Sequence, residues 1–285
     1  RPLITYTLEF LSRFNVREVV INLHRIPGAV RSKVLEWGKF PGRVSFVIEP
    51  EILGTGGGIR NALPHFSGAE EVIVANSDTI VDFDLEKALA HHRKRKNLAT
   101  LVLFPLREKR YTPVYTDGKN SLLSIGAPSQ GEGPFFFTGV SILRREFIER
   151  IPPGKRCLIR DGILPLVRKG KGAGGFVTEG NFMEFGTPVD YLENTLLLLE
   201  KASPPLPGLE SARVIPPAWI SPGARVEDGA TVGPGAVLEE RSKVGEGAKI
   251  SHSIVWPGGE VPPGDTADGV IVTPHRIVSA REPSP

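Results

Sequence analysis

The sequence has a single cysteine and no long hydrophobic run, and each absence excludes a class of protein. Cys157 has no second cysteine with which to form a disulfide or a cysteine metal cluster. We therefore expect a reducing, cytoplasmic compartment. The longest purely aliphatic run extends from Leu196 to Leu199. A membrane helix needs about 20 apolar residues, so we expect no membrane partner.

An excess of one charge is also missing. The chain has 35 Lys and Arg residues against 32 Asp and Glu residues, a formal net charge of +3. One basic run, at residues 91–96, ends a helical stretch that begins at Asp84. Cations at the end of a helix offset its dipole, and no aromatic residue lies among them to stack on bases. We therefore expect no nucleic-acid partner.

Glycine and proline are abundant, and their placement divides the chain. Half of the 26 prolines follow residue 203, and residues 203–208 read Ser-Pro-Pro-Leu-Pro-Gly. Such a composition is typical of a linker, which we place at residues 204–211. Before it, helix-like and strand-like segments alternate, which predicts an α/β domain with a mostly parallel, Rossmann-like sheet over residues 1–203. Residues 111–126 and 134–143 look like hairpin pieces, and a helix at residues 191–200 closes this domain.

The C-terminal part, residues 212–285, has a period of six. Large aliphatic residues recur at this spacing without a gap. Four positions after each of them stands a residue of a second series, and most members of that series are small. This pattern is typical of a parallel β-helix, with the large residues in its interior and the small ones at its corners. Seven repeats would give a little over two coils. The large residues are Val214, Ile220, Val226, Val232, Leu238, Val244 and Ile250, and the second series runs from Ala218 through Ala236 and Ser242 to Ile254.

Two kinds of residue in the first domain could carry chemistry. The glycine-rich residues 53–60 follow a predicted strand and open a helix, where backbone N–H groups can approach a ligand, although an ordinary turn also uses glycine. Asp78 follows a buried strand at the sheet edge where ligands bind, and its carboxylate suits Mg²⁺, although a turn or helix cap is its ordinary role. Glu184 lies among aromatic residues, where an unpaired acid is costly unless a metal shares it.

Taken in chain order, five segments of the sequence resemble motifs of the sugar-1-phosphate nucleotidyltransferases. Residues 2–11 are similar to the family's Pro-Leu-Ile helix, and residues 49–57 to the segment that ends in Leu-Gly-Thr-Ala-Gly. Asn-Ser-Asp at residues 76–78 resembles the Asn-Gly-Asp metal motif. Phe-Thr-Gly-Val at residues 137–140 resembles the sugar-site strand, and residues 184–191 resemble Asp-Ile-Gly-Thr-Pro-Glu-Asp-Tyr.

The trailing repeats add to this resemblance. A C-terminal left-handed β-helix is common in the family, and Ser-Ile-Val-Trp-Pro at residues 253–257 is similar to a segment of the mannose-1-phosphate guanylyltransferase branch. The implied reaction is attack of a sugar 1-phosphate on the α-phosphorus of an NTP, with GTP and mannose 1-phosphate as the first pair. Positioning and charge neutralisation would carry its rate.

The resemblance also implies roles for individual residues. Asp78 and Glu184 would bind Mg²⁺ and act in catalysis. The nucleotide-binding residues would be Leu53, Gly54, Thr55, Gly56, Gly57 and Asn76. The sugar-phosphate-binding residues would be Thr138 and Gly139.

Three departures from the family pattern bear on activity. The signature loop Gly-x-Gly-x-Arg-Leu would precede residue 2; because Met183 is the only methionine, Arg1 is not a translational start, and we expect further residues upstream. Glu184 replaces the usual Asp. No Glu-Lys-Pro motif supplies the lysine for the sugar phosphate, which leaves Lys155, Arg156 and Arg160 as candidates.

Other functions stay open at this point. A uridylyl- or thymidylyltransferase for another sugar phosphate fits the same motifs. A catalytically silent relative that binds nucleotide sugar would explain the missing loop and Glu184. A β-helix acyltransferase would use His252 or His275. The open ends of a β-helix need covering, so we expect a homo-oligomer formed through it.

Overall fold

The computed structural model describes residues 1–66, 68–202 and 211–280. Contacts divide the chain into two compact units, Arg1–Phe182 and Met183–Pro285, each of which is described by itself below. The predicted linker lies outside the described residues except for its last position, Ser211. None of the described helices is long and apolar enough to cross a bilayer.

The first unit alternates helices and strands as predicted, and the α/β class is confirmed. Its helices are α1 (Ile4–Ser12), α2 (Pro27–Trp37), α3 (Gly54–Ala62), α4 (Leu85–Arg95), α5 (Arg145–Arg150) and α6 (Leu164–Arg168). Its strands are β1 (Glu18–Leu23), β2 (Arg43–Ile48), β3 (Glu71–Ala75), β4 (Thr79–Asp82), β5 (Ala99–Pro105), β6 (Val114–Thr116), β7 (Leu122–Ile125), β8 (Glu132–Arg144) and β9 (Ala173–Val177). Strand β10 (Asn181–Glu184) begins in this unit.

One long strand sets the sheet topology. The 13-residue β8 runs antiparallel to both β3 and β5, and β9 is parallel to β5, so β3, β5 and β9 share one direction. Antiparallel pairing therefore involves β8 and the β6–β7 hairpin, the two regions for which hairpin pieces were predicted. Strands β1 and β2 form a separate parallel pair.

Alternating side chains of β5 divide the core into two layers. Leu101 and Leu103 face one cluster, which includes Ile59 of α3, whereas Val102 and Phe104 face another, which includes Leu11 of α1. Because neighbouring residues of a strand point to opposite faces, α1 and α3 cover opposite faces of the sheet. All four of these β5 side chains are buried, which explains the continuous apolar run of this strand.

Helix α4 carries the most deeply buried ionisable residue of this unit's described part. Asp84 caps the helix as predicted, and its carboxylate accepts a hydrogen bond from the Lys87 backbone N–H at 3.0 Å. His92, eight positions along, is fully buried; its Nδ1 lies 2.8 Å from the Thr100 hydroxyl. Burial disfavours the charged imidazolium and lowers the pKa of His92 to about 4.

The second unit is a β-helix with one helix, α7 (Pro188–Ala202), before it. Its strands pair with the strand three places later, which forms three parallel faces and confirms the coil predicted from the period of six. They are β11 (Arg213–Val214), β12 (Ala218–Ile220), β13 (Arg225–Val226), β14 (Thr231–Val232), β15 (Ala236–Leu238), β16 (Lys243–Val244), β17 (Lys249–Ser251), β18 (Ser253–Val255), β19 (Glu260–Val261), β20 (Thr266–Asp268), β21 (Val270–Val272) and β22 (Ile277–Ser279).

The coil continues beyond the last predicted repeat. Three complete coils and two strands of a fourth are present, and antiparallel β22 follows β21. The register changes from 18 residues per coil, as in Ala218↔Ala236, to 17, because the repeat after Ile250 is one residue short. Ser253, paired with Ala236 and fully buried, therefore takes the small corner position predicted for Ile254.

Helix α7 lies against the β-helix. Its Leu192 and Leu199 form an apolar cluster with Val237, Ile254 and Ile271, which stand in register on three successive coils. The contact division thus falls after Phe182, whereas the sequence places α7 in a first domain that ends at residue 203. The burial of this face explains why α7 groups with the C-terminal coils.

We expect the buried His92 to make the fold sensitive to acid. The pKa is about 6.5 in the unfolded chain and about 4 in the fold, so its contribution is fully present above about pH 6.5 and lost as the pH falls towards 4. Relative to His92→Gln, the wild-type free energy of unfolding should fall by up to about 3 kcal/mol over this range. Urea unfolding at several pH values measures this free energy. The exposed His65, changed to Gln, is the control, and the same pH dependence for both variants would contradict the prediction.

Candidate functional site

A cleft of about 1140 Å³ lies between β1 and β3 and contains part of the predicted site. Thr55, Asn76 and Asp78 line it together, with Asn22 and His24 from the end of β1. The structure thus brings the glycine-rich segment and the Asn-Ser-Asp motif to one place. This end of an open α/β sheet is where ligands characteristically bind.

The Asn-Ser-Asp motif leaves its acid available. Asn76, Ser77 and Asp78 are all exposed, and within the described ranges no cation or hydrogen-bond donor is paired with the Asp78 carboxylate. The backbone before Asp78 is held in place, since the Thr7 and Thr79 hydroxyls donate to the Asn76 carbonyl oxygen at 3.3 and 3.4 Å. A fixed backbone with a free carboxylate suits a hard cation, which prefers oxygen ligands.

Gly139 lies beside this motif, but the Thr138 side chain does not. The Asn76 backbone N–H donates to the Gly139 carbonyl at 3.2 Å, and a Cβ on Gly139 would lie 2.8 Å from Asn76 Nδ2. Glycine is therefore required there, also because φ is +82°. Thr138 is buried, and its hydroxyl donates to the Val102 carbonyl at 3.1 Å within the sheet. Of the predicted sugar-site pair, only Gly139 adjoins Asn76.

The glycine-rich segment forms the first turns of α3, where the sequence predicted a loop before a helix. Its Gly56 and Gly57 N–H groups donate to the Arg156 carbonyl at 3.0 and 3.2 Å, and the Arg156 N–H donates to the Leu53 carbonyl at 2.8 Å. A Cβ on Gly57 would overlap the Gly154 carbonyl oxygen. The glycines thus allow residues 154–158 to approach α3, and the Gly56 and Gly57 N–H groups bond within the chain instead of facing a ligand. Thr55 stays exposed on the cleft side.

Sequence reasoning missed a hydrogen-bonded pair beneath this turn. The carboxylate of the buried Glu49 accepts from Asn22 Nδ2 through Oε1 and from the Leu53 N–H through Oε2, both at 3.1 Å. It joins the ends of β1 and β2 to the start of α3. His24 Nδ1 lies 2.8 Å from the Glu49 carbonyl oxygen. The available signal was a polar residue at or near the end of each of two apolar strands, similar to the signal that singled out Asp78.

The Glu49 carboxylate has a further consequence for ligand binding. A helix N-terminus attracts anions, and here one carboxylate of the chain already occupies that position at α3. A phosphate would meet this negative charge at the start of α3. The turn is therefore suited to contact an uncharged part of a ligand, such as a base, through its exposed Thr55 side.

The basic candidates near residue 156 differ in their availability. Arg160 Nε donates to Asp161 Oδ1 at 2.9 Å, and this hydrogen bond lowers the pKa of Asp161. Asp161 also accepts from the Cys157 N–H at 2.7 Å, so it holds the turn that faces α3. Arg156 donates to the Lys155 carbonyl at 3.0 Å. Arg160 is thus engaged within the unit, and Lys155 is the less constrained cation.

Glu184 belongs to the second unit and is half-buried there. Its backbone carbonyl accepts a hydrogen bond from Asn194 Nδ2 at 2.7 Å, which ties the strand end to α7. Among the described residues, no group of three or more His, Cys, Asp or Glu side chains could hold a metal ion. A magnesium site commonly has only one or two protein carboxylates and completes its shell with water and phosphate oxygens.

Sequence comparison relates the chain to the nucleotidyl transferases. A model of the nucleotidyl transferase family matches residues 1–201. The chain is 27% identical to the mannose-1-phosphate guanyltransferase of Gibberella zeae over 205 residues, 70% of this chain but only 56% of that protein. It is 23% identical to the mannose-1-phosphate guanylyltransferase of Mycobacterium tuberculosis over 278 residues, 95% of this chain and 71% of that protein.

Solved structures show the same likeness. HddC from Yersinia pseudotuberculosis has a TM-score of 0.57 and 25% identity over 66% of this chain and 82% of that one. The same protein complexed with GMP-PN has a TM-score of 0.58 and 25% identity over 67% of this chain and 82% of that one. Since the family model covers more than half of its residues, this chain belongs to the nucleotidyl transferase family.

Proposed function

We propose that the protein transfers a nucleotidyl group from an NTP to a sugar 1-phosphate. The observation that carries this proposal is the exposed carboxylate of Asp78, which has no partner among the described residues and lines the cleft together with Asn76 and Thr55. A phosphate oxygen of the sugar 1-phosphate forms a bond to the α-phosphorus, and the bond to pyrophosphate breaks. GTP and mannose 1-phosphate are the first pair, because relatives carry that name and a structural relative was solved with GMP-PN.

Each site residue has a role in this proposal. The Asp78 carboxylate would hold Mg²⁺, which would supply positive charge against the phosphates. Asn76 and the exposed side of the turn at Thr55 orient the nucleotide, with Leu53, Gly54, Gly56 and Gly57 as the backbone of that turn. Gly139 allows Asn76 to approach closely, and the sugar phosphate would bind beside this pair. The chain thus orients the reactants and places negative charge where a cation is needed.

A grid of substrates tests the function. Protein from the complete reading frame is assayed for pyrophosphate release with Mg²⁺ and each pairing of the common NTPs with sugar 1-phosphates. We expect turnover with GTP and mannose 1-phosphate to exceed that of every other pair. A preference for a uridine or thymidine nucleotide would overturn the choice of substrates. If no pair is turned over but nucleotide sugar still binds, the protein is better explained as a catalytically silent relative.

Removing the charge of Asp78 should greatly reduce turnover without unfolding the protein. Because the carboxylate is exposed and has no partner in the described chain, Asp78→Asn should leave the thermal midpoint nearly unchanged and lower kcat by about 10²–10³-fold. The matched control is Asp82→Asn, an exposed acid paired with Arg13 at 2.9 Å, which should retain activity. Equal kcat values for the two variants would refute the role of Asp78.

A methyl group on the glycine turn should disturb the nucleotide site. In Gly57→Ala the new Cβ overlaps the Gly154 carbonyl, so the turn and residues 154–158 must separate. We expect a loss of about 1–3 kcal/mol in stability and at least a tenfold rise in the KM for nucleotide. Gly28→Ala is the control, because nothing lies within 4 Å of its Cβ in α2. If the KM for nucleotide is unchanged in both variants, the turn does not contribute to nucleotide binding.

We also propose that the β-helix mediates a homo-oligomer in the cytoplasm. Strands β11, β12 and β13 of the first coil each pair on one edge only within the described chain, and Val214, Ile220 and Val226 of that coil are only partly buried. Such an end exposes both hydrogen-bonding groups and core to solvent. Light scattering at micromolar concentration should give a mass above that of one chain, and a monomer throughout would contradict the proposal.

A further inference from the structure

The Arg156 peptide is a hydrogen-bond partner of the start of α3. Its carbonyl accepts from the Gly56 and Gly57 N–H groups at 3.0 and 3.2 Å. Its N–H donates to the Leu53 carbonyl at 2.8 Å. The first N–H groups of a helix have no partner within the helix, so a carbonyl from elsewhere has to serve them. The position of this one peptide therefore fixes the turn from which Thr55 reaches the cleft.

The Asp161 carboxylate holds the backbone directly after Arg156. Its Oδ2 accepts from the Cys157 N–H at 2.7 Å, and the Asp161 N–H donates back to the Cys157 carbonyl at 2.9 Å. Arg160 adds two hydrogen bonds, from Nε to Oδ1 at 2.9 Å and from Nη2 to Oδ2 at 3.1 Å. The hydrogen bonds from Arg160 and Cys157 lower the pKa of Asp161, so the carboxylate is ionised in the neutral range.

The backbone between α5 and this carboxylate has no regular structure. Residues 151–157, all within the described part of the chain, belong to no helix or strand. They are followed by a π-helical turn, Leu158–Ile163, a rare conformation that is frequent at functional sites. An irregular segment keeps its position through contacts of the kind made here, with α3 on one side and Asp161 on the other.

We propose that Asp161 is a positioning residue for nucleotide binding. Through the Cys157 N–H it holds the Arg156 peptide against α3, and it thereby sets the affinity for nucleotide. This inference rests on the proposed function, in which the turn at Thr55 orients the nucleotide. Asp161 itself is not among the residues that line the cleft. Because Glu49 still holds the Leu53 N–H at 3.1 Å, loss of Asp161 should shift the turn without unfolding α3.

Variants of Asp161 and of one matched carboxylate test the proposal. Asp161→Ala removes the acceptor, whereas in Asp161→Asn an amide oxygen can still accept from the Cys157 N–H. Asp117→Ala is the control, because that carboxylate also accepts from a backbone N–H four residues away, at Ser121 and 2.7 Å, but in the turn between β6 and β7. All are made in protein from the complete reading frame.

The expected result is a change confined to nucleotide binding. The KM for GTP should rise at least about tenfold in Asp161→Ala and less in Asp161→Asn, because the amide restores one hydrogen bond. The kcat and the KM for sugar 1-phosphate should stay within about twofold of wild type. Asp117→Ala should leave all three constants unchanged.

The sole cysteine provides a readout that does not depend on activity. Cys157 is half-buried, and a thiol reagent labels it with no other cysteine to interfere. Its labelling should become at least about fivefold faster in Asp161→Ala, because the segment is released, and should keep the wild-type rate in Asp117→Ala.

Four outcomes would overturn the proposal. A wild-type KM for GTP in Asp161→Ala, despite faster labelling of Cys157, would show that the segment moves without consequence for the nucleotide. Unchanged labelling would refute the route through Cys157. Equal losses in Asp161→Ala and Asp117→Ala would show a general effect on stability. If the wild-type protein binds no GTP by calorimetry, the proposed function itself fails, and this inference fails with it.

Discussion

Every backbone N–H and C=O group that leaves water must find a partner, and this requirement shapes both units. The β-helix meets it by stacking, since each coil pairs with the next along three faces. In the first unit the long strand β8 supplies hydrogen-bond partners to one edge of β3 and one edge of β5. The remaining edges of β1 and β3 border a cleft of about 1140 Å³. Asn76 and Asp78 of the proposed site line that cleft.

The geometry of the site comes from close backbone contact more than from charged side chains. Gly54 and Gly57 allow residues 154–158 to approach α3, and Gly139 allows Asn76 to lie against β8. Glu49 fixes the start of α3 from below through the Leu53 N–H. These contacts place Thr55, Asn76 and Asp78 along one cleft without using the Asp78 carboxylate. A site of this kind can bind a cation and phosphates after the chain has folded, because the contacts that hold its backbone do not involve them.

Short periods in the sequence predicted the fold well. The period of six placed Val232, Leu238, Val244 and Ile250 in the β-helix interior, where all are buried. It failed at Ile254 because a repeat one residue short shifts the register, and only pairing with the previous coil reveals that Ser253 takes the corner. The turn at Gly54 was predicted as a loop because its contact with Arg156 joins residues about a hundred positions apart. The Asn22–Glu49 hydrogen bond is equally invisible to local patterns.

In the proposed function, Asp78 helps to hold the divalent cation used with the nucleotide. The most direct measurement replaces Mg²⁺ with Mn²⁺ and follows the free Mn²⁺ signal by electron paramagnetic resonance, with nucleotide and sugar 1-phosphate present. We predict that the wild-type protein with both substrates removes more Mn²⁺ from solution than the substrates alone, and that Asp78→Asn loses this excess. Equal binding by wild type and Asp78→Asn would contradict it, and the cation would then have to be held elsewhere.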